Sequence, residues 1–259
     1  MLFISFSSNP QVEPQTEEKF TIKELISRAN SVALGLVKYG IIKDDLFFIH
    51  GLNCIEYAVT ILATFFLGNT ITTSKPANNV YEVRNQISNS KASVVFTTNS
   101  FASIVKEAID DIKEKQNIKL KFCFDGKVEG FLSYETLLKE GQAIGKKLPK
   151  IPYFDIDPVN DIATITYTSG TTGLPKGAMT TQYANVVMLV ICSPLEFVTK
   201  QGVFSMHYPF GHASGTIFYQ ICLVQGANIV LIDVPKMDNI LSACEKYKVS
   251  ENVLYMEMD

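Results

Sequence analysis

The chain has 259 residues, of which 47% are hydrophobic and 19% charged, and its formal net charge is −3 at pH 7. A chain of this length buries about 70–75% of its unfolded surface and builds a real core, which excludes a disordered protein. The slightly acidic balance excludes the basic face of a nucleic-acid-binding protein, and there is no apolar run of the roughly eighteen residues that a membrane span needs.

Residues 1–19 are polar after the first few, hold Pro10 and Pro14, and are expected to form an irregular arm. Met1 to Phe6 lacks the basic start and the length of a secretory leader. Thr21-Ile22-Lys23-Glu24 has the spacing of a capping box. Ile22, Leu25, Ile26, Ala29, Ala33, Leu36 and Val37 then recur at helical spacing, and Gly40 marks a stop. Leu46 to Ile49 reads as a buried strand, Cys54 to Leu67 as a helix and Thr70 to Thr73 as a strand. A helix is predicted over Val80 to Ser88, a strand over Ser93 to Thr97, a helix over Phe101 to Lys113 and a strand over Ile118 to Phe124. Residues 133–140 are predicted to be a short helix capped by Ser133. Gly141 to Pro158, with Pro149 and Pro152, reads as a connector.

Ile162 to Tyr167 alternates apolar and polar residues, the period of a half-buried strand. Ala178 to Thr181 is a second short strand, and a helix begins near Gln182. Beyond it come a strand near Val203 to Met206, a helix near Ala213 to Leu223, a strand at Asn228 to Ile232 and a helix at Met237 to Lys246. Strand and helix alternate throughout, which predicts an α/β fold with a mostly parallel sheet covered on both faces.

The chemistry concentrates in Tyr167-Thr168-Ser169-Gly170-Thr171-Thr172-Gly173-Leu174-Pro175-Lys176-Gly177. Four small hydroxyl side chains, three glycines and one lysine share these eleven positions. Glycines let the backbone bend close to a ligand, while hydroxyls, backbone N–H groups and a lysine donate to oxyanions. The segment does not follow Gly-x-x-x-x-Gly-Lys-Ser/Thr, because Leu174 and Pro175 separate Gly173 from Lys176 and Gly177 replaces the hydroxyl residue. It is expected to join strand to strand, so that no helix N-terminus traps the anion. Ser169 lacks the glycine two places before it that a hydrolase elbow needs. The five cysteines are far apart and form no Cys-x-x-Cys pair, and no His, Asp and Glu trio has metal-ligand spacing, so no metal site is expected. That cysteine usage fits a reducing compartment.

Residues 167–177 resemble the signature phosphate loop of the adenylate-forming superfamily, which includes acyl-CoA synthetases, 4-coumarate–CoA ligases, firefly-type luciferases and peptide-synthetase adenylation domains. Pro209-Phe210-Gly211-His212-Ala213-Ser214-Gly215 resembles that family's later Pro-Leu-Phe-His-x-x-Gly segment. The similarity runs from about Phe20 to about Val249. It implies stacked, mostly parallel β-sheets with flanking helices, the incomplete N-terminal domain of such an enzyme. The implied pieces are about 20–70 plus 200–259, and 71–199, with the small C-terminal domain absent. It also implies a small-molecule carboxylate substrate with ATP, Mg²⁺ and coenzyme A.

By resemblance, Thr168, Ser169, Gly170, Thr171, Thr172, Gly173 and Lys176 bind the nucleotide, with Lys176 and Thr172 acting on the reacting phosphates. His212 is implied in the acyl and adenylate pocket. Gly211 departs from the aromatic residue that relatives often carry before this histidine. The family's later Tyr-Gly-x-Thr-Glu motif, ribose-binding aspartate and C-terminal lysine have no counterpart here. The chain is therefore expected to be a ligase fragment, inactive alone, with strand edges and apolar surface left uncovered. The alternative is a non-catalytic module that binds ATP or pyrophosphate, or that associates with a full-length ligase. An intracellular, cytoplasmic location is expected, or a peroxisomal one for a full-length parent.

Overall fold

The computed structural model describes residues 10–12, 19–112, 117–146, 154–168, 175–192 and 198–250. In chain order these form β1 (Pro10–Val12), β2 (Lys19–Thr21), α1 (Ile22–Lys38), β3 (Leu46–His50), α2 (Ile55–Leu67), β4 (Thr70–Ser74), α3 (Val80–Ser90), β5 (Val94–Thr97) and α4 (Ala102–Asp110). Then follow β6 (Leu120–Cys123), β7 (Leu132–Ser133), α5 (Tyr134–Gly145), β8 (Ile162–Thr168), β9 (Lys176–Thr181), α6 (Gln182–Cys192), β10 (Val203–Met206), α7 (Ala213–Gln225), β11 (Asn228–Leu231) and α8 (Met237–Tyr247).

Seven strands make the larger sheet, in the order β7-β6-β5-β3-β4-β8-β9. All its pairs are parallel except the antiparallel β8–β9 edge. The near-continuous apolar runs of β3 and β5 follow from burial on both faces. Alternate residues feed two cores, as the two-residue period of a strand requires. Phe47, Ile49, Val94 and Phe96 join the core under α1, α2 and α5, whereas Phe48 and Val95 join the core under α3 and α4.

The smaller sheet runs β10-β11-β1-β2. Strand pairing departs from the expected grouping in two places. Leu46–His50 lies between β4 and β5, inside the sheet of the 71–199 piece rather than with 200–250. Pro10–Val12, expected as irregular, pairs parallel with β11 and antiparallel with β2. The reason is that a strand's partners are set by which edges are open, and a three-residue strand carries no period from which to read that.

Thr21 and Glu24 form the expected capping box at the start of α1. The first five residues of the connector expected over Gly141 to Pro158 are instead the end of α5, while residues 147–153 lie outside the described residues. Gly141 is there because α1 and α5 touch backbone to backbone: a Cβ would fall 1.7 Å from the Ser31 carbonyl oxygen. Among the described residues no helix is long and apolar enough to cross a membrane.

Asn53, buried in the β3–α2 loop, joins the two sheets. Its Nδ2 donates to the Tyr208 carbonyl at 2.8 Å and the Ile232 carbonyl at 3.3 Å, and its Oδ1 accepts from the Phe210 N–H at 2.8 Å. Tyr57, Phe210 and Tyr219 stack edge to face beside it. Removing the amide strands buried backbone groups, at about 1–3 kcal/mol for each. Asn53→Ala is therefore expected to lower the urea-unfolding free energy by about 3 kcal/mol or more. A loss under about 0.5 kcal/mol, in the range of a neutral surface change, would count against the clamp.

His50 ends β3, fully buried, with its ring edge-on to Phe101 at 4.9 Å. Among the described residues its ring nitrogens find no partner in hydrogen-bonding geometry, and the nearby Ser74 backbone offsets only part of the effect of burial. Burial pushes its pKa down to about 4 from 6.5. The unfolded chain therefore takes up a proton between pH 6.5 and 4 that the folded chain refuses, so stability falls as pH falls through that window. The loss is on the order of 3 kcal/mol. Burial lowers His207 in the same direction. Urea midpoints measured from pH 7 to pH 4.5 should drop steeply, and His50→Phe should flatten the slope. An equally steep slope in that variant would sink the assignment.

Candidate functional site

The segment singled out by sequence is the turn of the β8–β9 hairpin. Ser169, Gly170, Thr171, Thr172 and Gly173 lie outside the described residues, whereas the two residues that flank the turn, Thr168 and Lys176, are described. These two face each other in the antiparallel register, and the Thr168 Oγ1 lies 3.5 Å from the Lys176 carbonyl oxygen. Both are exposed. The turn thus joins strand to strand, as expected.

The base of the hairpin is fixed from two sides. Thr70 and Thr72 of β4 donate through their hydroxyls to the β8 carbonyls of Ile162 and Ile165, each at 2.7 Å. The Tyr167 hydroxyl donates to Asn89 Oδ1 on α3 at 2.5 Å, and burial raises its phenol pKa. The exposed ends therefore spring from an anchored strand.

Between α3 and the hairpin base is a cavity of about 370 Å³, within the range of small-molecule sites. Lys75, Asn78, Asn85, Tyr167, Thr168 and Gly211 are among its walls. Lys75 and Asn78, in the loop after β4, and Asn85, on the polar face of α3, were not singled out from the sequence, because polar loop and helix-face residues read as solvated. A weak signal existed in the polar residues 78, 82, 85 and 89, which recur at one-turn spacing.

Gly211 has a tertiary reason. A Cβ there would lie 2.0 Å from the Ser74 carbonyl oxygen and 2.8 Å from the Lys75 Cα. The loop after β10 rests on the end of β4 so closely that no side chain fits. His212, next along, is the N-cap of α7. Its Nδ1 accepts from the Ser214 N–H at 3.2 Å and lies 2.7 Å from the Ser214 hydroxyl. With Nδ1 accepting, the proton of the neutral ring sits on Nε2. His212 is half-buried and does not line the cavity.

For a divalent cation the described residues do not fit. Among them no group of three or more His, Cys, Asp or Glu side chains could hold a metal ion. The carboxylate on the cavity wall, Glu82, is held at 2.9 Å by the Asn79 N–H in a capping box.

The family model described as "AMP-binding enzyme" matches residues 6–252. A probable CoA ligase of Humulus lupulus is 28% identical over 247 residues, covering 92% of this chain and 42% of its own length. 4-Coumarate–CoA ligase 2 of Solanum tuberosum is 28% identical over 251 residues, covering 95% and 44%. This chain thus spans less than half the length of those two relatives. A red-emitting luciferase from Phrixothrix hirtus superposes with a TM-score of 0.83 at 19% identity, covering 94% of this chain and 47% of that one, which shows a shared fold.

Gly211→Ala tests the close contact of the two loops. It should destabilise the chain by about 1–3 kcal/mol through overpacking, read as a lower urea midpoint at unchanged denaturant slope. Wild-type stability in this variant would mean that the loops are not pressed together.

Proposed function

The chain belongs to the AMP-binding enzyme family, and from that premise we propose that its residues 168–176 hold the phosphates of ATP while a carboxylic acid is activated. The observation that carries this reading is the anchored hairpin, with Thr168 and Lys176 exposed opposite each other and Thr168 on the wall of a cavity. In the proposed first step a carboxylate oxygen attacks the α-phosphorus. The bond from that phosphorus to the bridging oxygen breaks, and pyrophosphate leaves with the electron pair, giving an acyl-adenylate. In the second step the thiol of coenzyme A displaces AMP to give a thioester.

Negative charge grows on the departing phosphates during the first step. Lys176 meets it with a full positive charge, and the hydroxyls of Thr168, Ser169, Thr171 and Thr172 donate hydrogen bonds. Gly170 and Gly173 let backbone N–H groups approach the same oxygens. His212, whose Nε2 carries the donor proton, is assigned to the acyl and adenylate side. Mg²⁺ would neutralise phosphate charge when bound, but the described residues offer it no carboxylate set, so none is assigned as its ligand.

The substrate class is a small-molecule carboxylate. We further propose that these 259 residues hold nucleotide without completing acyl transfer by themselves. This draws on their covering only 42–44% of the two plant relatives.

Calorimetry with ATP, paired with pyrophosphate exchange over fatty, aryl and short carboxylates, tests both parts. The chain should bind ATP, and Lys176→Ala should weaken that binding tenfold or more. Where the complete reaction runs, losing one such donor costs about 10²–10³ in rate. The chain alone should give no carboxylate-dependent exchange. Unchanged ATP affinity in the variant would refute the phosphate grip, and acyl-adenylate formed by the chain alone would refute the second part.

A further inference from the structure

We infer that Lys75 and the amide-lined cavity beside it form a second anion subsite, one that takes the terminal phosphates of a nucleoside triphosphate, or free pyrophosphate. The choice of occupant rests on the reading above, but the subsite stands on its own geometry.

Lys75 follows the last residue of β4, a central strand. Thr72 pairs with Ile165 across β4 and β8. Three residues further along both strands come Lys75 and Thr168, so the lysine stands level with the root of the phosphate turn. Both line the same cavity of about 370 Å³. Lys75 is half-buried, and among the described residues no carboxylate forms an ion pair with it. An unpaired ammonium held in a concave wall raises the local concentration of anions.

The rest of the wall suits the same ligand. Asn78 and Asn85 bring amide donors, one of those of Asn78 going to the Ser74 Oγ at 3.0 Å, and Thr168 brings a hydroxyl that also lies 3.5 Å from the Lys176 carbonyl oxygen. The wall also carries one carboxylate, Glu82, which accepts from the Asn79 N–H at 2.9 Å in the capping box of α3. The position in the sheet agrees as well. β3 and β4 are neighbours, but the chain leaves them towards opposite faces, through α2 and α3. Open α/β sheets bind ligands in the crevice beyond the strand ends at such a point.

The test is calorimetric titration of the full chain with inorganic pyrophosphate. Lys75→Gln should weaken binding about tenfold, and Lys75→Arg should retain it. Asn85→Asp, which puts a negative charge into the wall while leaving Lys75 in place, should also weaken binding about tenfold. That variant keeps the test open if Lys75→Gln does not fold, as judged by circular dichroism. Wild-type affinity in both Lys75→Gln and Asn85→Asp would overturn the subsite, as would no binding of millimolar pyrophosphate by the unaltered chain. Comparison with Lys176→Ala separates the two proposals. Loss with Lys75→Gln but not with Lys176→Ala would leave the subsite standing and remove the phosphate turn. The reverse would remove the subsite alone.

Discussion

Asn53 gives both ends of one amide to the backbone of the second sheet, and the position of every candidate residue in the loop after β10 depends on it. Its carbonyl oxygen holds the Phe210 N–H, and its amino group holds the carbonyls of Tyr208 and Ile232. All of this is buried, where a backbone group without a partner is costly. The side chain therefore works as a gauge, because the loop has one depth at which all three groups are satisfied. At that depth residue 211 presses on Ser74, and only glycine can stand there. Glycine at this position thus follows from backbone contact.

The turn proposed to hold phosphate joins two strands rather than opening a helix. Its strand is pinned by threonine hydroxyls on one side and by the Tyr167–Asn89 bond on the other. The charged residue that flanks it, Lys176, extends from an edge strand into solvent. Binding by hydroxyls, amides and ammonium groups on a fixed base needs no macrodipole. It also keeps the helix-cap machinery for structure, as Glu82 shows by closing the start of α3.

The same edge carries an uncovered apolar surface. Met179 on β9 and Tyr183, Val190 and Ile191 on α6 are 68%, 59%, 65% and 64% exposed. β9 has an open side in the larger sheet. An edge strand with one lysine and no proline or acidic residue is poorly protected against pairing with another chain. A strand edge and apolar surface are thus uncovered, as expected, within a few residues of the hairpin turn.

Local patterns determined much of this protein. The alternation of strand and helix, the Thr21–Glu24 capping box and the strand–turn–strand placement of residues 162–181 were all legible, because each is governed by interactions between residues close in the chain. The family was legible for the same reason, since the residues of the motif at 167–177 are neighbours in sequence. Tertiary structure alone decided which sheet takes Leu46–His50, why Gly141 lies inside a helix, why residue 211 is glycine and that Lys75 faces the root of the turn. Each of these depends on a surface supplied by residues far away in sequence, and a long-range contact leaves no period or spacing in the chain that makes it.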